Sequence, residues 1–134
     1  MLFSNLARRQ CVLTLMGAVA IGLGVVASAR AELIEIAWSA QQRFERSFDI
    51  APGKFAEVCG PLAPGSNVSW TFEAATPLDF NIHYHLGKEV VFPEKRAATP
   101  RASGQLQVSA SQDHCWMWTN KTVQSVGLRV QLAR

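Results

Sequence analysis

Apolar and polar residues alternate along most of the chain from residue 44 onward. The clearest run is residues 68–74, in which Val68, Trp70 and Phe72 are separated by Ser69 and Thr71. Residues two apart in a strand share a face, so this pattern predicts strands with one buried face. The same period recurs in residues 80–85, 106–110, 114–119 and 126–132. About seven short strands with regular turn signals favour an all-β fold, specifically an antiparallel β-sandwich.

Two segments fit this pattern less well. Residues 93–104 contain two prolines, Gly104 and several small residues, and we predict a loop there. Residues 33–43 are compatible with a short helix or with an extension of the next strand. Between these segments, Gly87-Lys88 precedes an apolar stretch and predicts a hairpin turn.

The N-terminal segment has the character of an export signal. Arg8 and Arg9 precede an apolar run over residues 11–27, and residues 29–31 (Ala-Arg-Ala) fit a cleavage site with small residues at its ends. We therefore predict a signal peptide over residues 1–31 and one domain over residues 32–134, located in the periplasm or secreted. An uncleaved membrane anchor is the alternative. The arginine pair leaves both the Sec and the Tat route open.

Removal of this leader changes the charge balance. Three of the 13 basic residues, Arg8, Arg9 and Arg30, lie in it, which leaves ten basic and ten acidic residues in the remaining chain. The basic isoelectric point therefore belongs to the precursor and is no evidence for nucleic acid as a partner, which would need a basic stripe on the folded domain. We also expect no stable membrane span once the leader is cleaved.

Two cysteines, Cys59 and Cys115, follow the leader. A pair of cysteines in a small exported domain is typical of a disulfide. Ligation of a metal by two thiolates is the competing interpretation, which an oxidising compartment disfavours.

The order of features resembles the GOLD (Golgi dynamics) domains of cargo-receptor and lipid-transfer proteins over about residues 44–132. The features are Cys59 before Pro64-Gly65, the segment Leu78 to Ile82, and a Cys-aromatic-x-aromatic-x-Asn motif at residues 115–120. The resemblance implies a β-sandwich interaction module. In the cargo-receptor branch two cysteines at comparable places form a disulfide, which supports a Cys59–Cys115 pair. The coiled coil and membrane span of those receptors do not follow here, so cargo trafficking is not implied.

All three histidines lie in two of the predicted strands. Alternation places His83 and His85 on one face, opposite Phe80, Ile82 and Tyr84. If the tryptophans of residues 114–119 are buried, Met117 points to the same outer side as these two histidines. Imidazole suits copper and zinc, and thioether sulfur selects Cu(I). These residues therefore predict a candidate copper site of His83, His85 and Met117, with His114 on the tryptophan face as a weaker candidate.

Two hypotheses follow. The first is an exported, non-catalytic binding or interaction module with an unknown protein partner and no cofactor, in which His83 and His85 are solvent-facing polar residues. The second is a periplasmic copper-binding protein with a metal ion as its partner. We do not expect an enzyme, because the sequence has no nucleophile elbow and no glycine-rich phosphate loop.

Overall fold

A computed structural model describes residues 31–134, and the predicted all-β class is confirmed. The predicted signal peptide falls on residues outside this range except for Ala31, and stays a prediction. In the described range no helix is long and apolar enough to cross a membrane. The strands are β1 (Glu32–Glu35), β2 (Arg43–Ile50), β3 (Phe55–Leu62), β4 (Asn67–Leu86), β5 (Glu89–Gln107), β6 (Gln112–Thr119) and β7 (Val126–Ala133).

The strands form one sheet that curls around a long central strand. The order is β1-β3-β6-β4-β7-β2, and β5 pairs with β4. Residues 69–74 of β4 pair with β7, whereas residues 79–84 pair with β6. All seven strands are thus connected in one curled sheet, and two separate stacked sheets are not confirmed. β1 runs parallel to β3, unlike the other strand pairs. Residues 36–42 form no helix, and the next strand begins at Arg43.

Curling brings aromatic side chains from both halves of β4 into one core. The ring of Trp118 lies 5.6 Å from Phe72 and 5.5 Å from Phe80, measured between centroids. Trp70 and Phe80 are 5.0 Å apart in the same cluster. Such pairs contribute about 0.5–1.5 kcal/mol each beyond the burial of their apolar area. The core therefore joins the two halves of the sheet through its largest side chains.

The predicted loop at residues 93–104 is wrong, because this segment lies inside β5. Two features explain why the sequence pattern did not indicate a strand. Most of β5 is exposed, so it has no apolar alternation to mark it. Proline is tolerated on an edge strand, where one side of the backbone needs no donor. Gly104 also has a packing role, since a Cβ there would lie 2.6 Å from Cζ2 of Trp70.

Asn120 fixes the turn that follows β6. Its side chain is fully buried, and its amide nitrogen donates hydrogen bonds to the backbone oxygens of Ile50 (2.9 Å) and Gln124 (2.7 Å). Its amide oxygen accepts a 2.9 Å hydrogen bond from the backbone N–H of Thr122. The asparagine at the end of the Cys-aromatic-x-aromatic-x-Asn motif therefore ties the end of β2 to the β6–β7 turn.

Candidate functional site

Two adjacent rows of side chains cross the outer face of β3, β6 and β4. In each strand these residues alternate with buried ones such as Val58, Trp116 and Ile82, so their side chains point to the opposite, outer face. The strand register aligns Glu57, Met117 and Asn81 in one row, and Cys59, Cys115 and His83 in the next.

The predicted disulfide between Cys59 and Cys115 is present. The two residues are directly opposite each other on β3 and β6, with their Cα atoms 4.1 Å apart. Both sulfurs are therefore committed to the covalent bond. A thiolate metal site at this pair would require its reduction.

His83 is held in a defined orientation beside this disulfide. Its Nδ1 lies 2.8 Å from the amide oxygen of Asn81, an acceptor, so Nδ1 carries the proton and donates. Nε2 then carries a lone pair and lies 3.8 Å from Oε1 of Glu57. Because β6 separates β3 from β4, these two side chains meet above β6.

The prediction that His83 is a solvent-facing residue is wrong, since the residue is only 7% exposed. A bulge explains its burial. Between Ile82 and Tyr84 the register with β5 shifts, so that two residues of β5, Phe92 and Pro93, lie opposite His83. The Phe92 ring lies 5.9 Å from the imidazole. The extra residue therefore provides an aromatic cover for the outer face.

Burial lowers the pKa of His83 from its usual value of about 6.5, because desolvation disfavours the imidazolium form. The nearby His85 lowers this pKa further, and the negative charge of Glu57 acts in the opposite direction. The neutral form of His83 is therefore favoured at neutral pH.

The other predicted ligands are placed differently. His85 shares the outer face with His83, with ring centroids 5.6 Å apart, but it lies on the side of His83 away from Glu57. Met117 lies half-buried between Glu57 and Asn81 on the same face, as its strand phase predicted. The structure thus places His83, His85 and Met117 on one face, with Met117 in the row next to His83 on the side of Glu57 and His85 on the opposite side.

His114 lies on the opposite face and is fully buried. Its Nδ1 donates to the backbone oxygen of Gln112 at 2.9 Å, and its ring packs 4.7 Å from that of Tyr84. Among residues 31–134, its Nε2 has no hydrogen-bond partner. The structure therefore separates His114 from the outer-face residues.

A second exposed feature is the end of the β4–β5 hairpin, residues 85–92, here called the hairpin tip. Pairing of β4 with β6 ends at Tyr84, but pairing with β5 continues to Leu86 and Glu89. Gly87 adopts a φ of +59° in the predicted turn, a conformation that glycine tolerates. Three large apolar residues of the tip are exposed: Leu86 (43%), Val90 (41%) and Phe92 (45%).

Three neighbours of His83 were not predicted from the sequence: Glu57, Asn81 and Phe92. For Glu57 a signal existed. If Cys59 faces Cys115 across an antiparallel pair, the residue two before Cys59 must face Met117, two after Cys115. Phe92 had no such signal, because the bulge that places it over His83 depends on the pairing of β4 with β5.

No family model and no curated protein matches the chain. Among solved structures, the chain is similar to PliG of Aeromonas hydrophila, a periplasmic inhibitor of g-type lysozyme. The TM-score is 0.59 at 8% sequence identity, and the match covers 78% of this chain and 96% of PliG. This likeness shows a shared fold.

Proposed function

We propose that the protein is an exported, non-catalytic module that binds a protein partner through its hairpin tip. The observation that carries this proposal is the exposure of Leu86, Val90 and Phe92 within the last few residues of the β4–β5 hairpin. Clustered apolar side chains at a surface mark interaction sites more often than isolated ones do. Aromatic residues such as Phe92 are also enriched in protein interfaces.

The shape of the tip indicates the kind of partner. Val90 pairs with His85 and shares the outer face, whereas Leu86 points to the other face of the ribbon. A flat partner would cover only one of these faces. A protein with a concave cleft would bury both, and we propose such a partner.

The fold and the disulfide support this proposal. PliG is a periplasmic protein that inhibits an enzyme, and a binding module of this kind needs no catalytic residue. The Cys59–Cys115 bond is typical of an oxidising compartment. We infer from these features that the protein works outside the cytoplasm, and that g-type lysozyme is the first partner to test.

The test compares two charge substitutions on exposed apolar residues. Phe92→Asp changes the hairpin tip, and Val123→Asp changes a residue that is 90% exposed in the β6–β7 turn. Binding to g-type lysozyme is measured by titration calorimetry, and inhibition by the clearing of a cell-wall suspension. In parallel, partners are captured from a periplasmic extract and identified.

We expect wild type and Val123→Asp to bind the same partner with the same affinity. Phe92→Asp should weaken that binding by at least tenfold, which corresponds to about 1.4 kcal/mol. Equal binding by both variants would contradict a role for the hairpin tip. Failure of the wild-type protein to bind lysozyme or any captured protein would overturn the proposed function as a whole.

A further inference from the structure

We propose that the outer face also carries a copper site, in which Nε2 of His83 and the carboxylate of Glu57 bind the ion above β6, with the Met117 thioether as a third ligand. This site takes no ligand from the exposed residues of the hairpin tip and does not depend on partner binding, although Phe92 of the tip covers His83. It differs from the site that the sequence predicts, because Glu57 takes the place of His85.

Two acceptor atoms of His83 and Glu57 face each other. Nε2 and Oε1 lie 3.8 Å apart, too far for a hydrogen bond. With the imidazole proton on Nδ1, both of the facing atoms are acceptors. Two acceptors aimed at each other gain nothing from the contact, whereas a cation between them would be attracted to both.

The distance also fits a shared ion. Nitrogen and carboxylate ligands bind at about 2.0–2.2 Å, so two ligands of one tetrahedral ion lie about 3.3–3.6 Å apart. The observed separation of 3.8 Å needs a shift of only a few tenths of an ångström. The two side chains are therefore close to a chelating arrangement.

Asn81 supplies the support that a metal-binding histidine needs. Ligating histidines almost always donate their second ring N–H to an oxygen, which fixes the tautomer and the ring orientation. The 2.8 Å hydrogen bond from Nδ1 of His83 to Asn81 does this here. With Nδ1 engaged in this hydrogen bond, Nε2 is the ring nitrogen left to bind an ion.

The third proposed ligand, Met117, indicates which metal the site would bind. Met117 lies on β6 between Glu57 and Asn81, in the same row as Glu57 and in the row next to His83. A set of imidazole, carboxylate and thioether contains a soft ligand, which favours copper over magnesium or calcium. The two cysteines next to this row are bonded to each other and leave the thioether as the available sulfur.

Four variants test the ligand set. Glu57→Gln and His83→Ala remove the proposed ligands, and Met117→Leu removes the sulfur at similar volume. His85→Ala is the matched control, because it deletes a histidine on the same strand and face as His83. Affinity for Cu(II) is measured by titration calorimetry and that for Cu(I) by competition with bicinchoninic acid. Electron paramagnetic resonance of the Cu(II) form counts the nitrogen ligands.

We expect one copper ion per wild-type chain, with one imidazole nitrogen in the spectrum. Glu57→Gln and His83→Ala should weaken binding at least tenfold, whereas His85→Ala should change it less than twofold. Met117→Leu should weaken Cu(I) more than Cu(II), because thioether sulfur is a soft ligand. Thermal melting of each metal-free variant separates loss of ligand from loss of fold.

Three results would overturn this site. The first is a wild-type protein that binds no copper. The second is a spectrum with two imidazoles together with loss of binding in His85→Ala, which would favour the site of His83, His85 and Met117 instead. The third is binding by Glu57→Gln that equals that of the wild type. None of these results bears on binding by the hairpin tip, which Phe92→Asp tests separately.

Discussion

The two faces of β6 carry different kinds of residue, although they belong to the same eight-residue strand. Its inner face consists of His114, Trp116 and Trp118, all fully buried in the core. Its outer face presents Cys115 and Met117, which are half-buried between polar side chains of β3 and β4. The inner face therefore contributes to the hydrophobic core, and the outer face carries the side chains that could bind a metal ion.

The two buried histidines show what this difference means. His114 and His83 lie on adjacent strands, and both are excluded from solvent. His114 packs on Tyr84 and bonds to its own strand, whereas His83 faces Glu57 and Asn81. Burial alone does not distinguish a structural histidine from a candidate ligand. The chemistry of the neighbouring side chains does.

Trp118→Ala on the inner face should cost the most stability. The substitution removes a fully buried ring that contacts Phe72, Phe80 and Phe48. We expect the free energy of unfolding to fall by about 3–5 kcal/mol, measured by urea denaturation. Met117→Ala on the outer face is the control and should cost less than half as much. Equal losses would contradict the division between the two faces.

The disulfide is the one strong stabilising element that we expect on the outer face. It spans 56 residues of sequence, and replacement of both Cys59 and Cys115 by Ser should cost about 2–5 kcal/mol. Urea denaturation of the variant and of the oxidised wild type measures the difference. A variant as stable as the wild type would show that the bond adds nothing to the paired strands.

A weaker effect is the pH dependence of stability that His83 causes. Its pKa is lowered in the folded state, so the unfolded chain binds a proton more readily as the pH falls below about 6.5. Stability is therefore fully present above that pH and decreases as the pH falls through the folded pKa. We expect urea denaturation between about pH 7 and pH 5 to show this decrease in the wild type.

His83→Gln should show a shallower decrease over the same pH range, because glutamine does not titrate. His85→Gln is the control, since His85 is exposed beside the same ring. If His83→Gln retains the full dependence, another group is responsible for it.

Most of the strands could be predicted from the sequence because each has one buried face. The period of two in residues 80–85 correctly assigns Ile82 to the inner face and His83 to the outer face. The same kind of pattern is missing from β5, which has little buried surface and pairs on one edge only. The exposure of His83 was predicted wrongly, because its cover by Phe92 follows from a bulge between two paired strands.

Local alternation and residue chemistry are enough to establish the all-β class, the faces of the strands and the cysteines that could pair. The choice of neighbouring strands, in contrast, belongs to the tertiary structure. That choice places Glu57 of β3 against His83 of β4 across β6, and it leaves the hairpin tip without a second neighbour among the described strands. These contacts depend on how strands that are far apart in the sequence pair and on their register. Local alternation of apolar and polar residues does not specify that pairing.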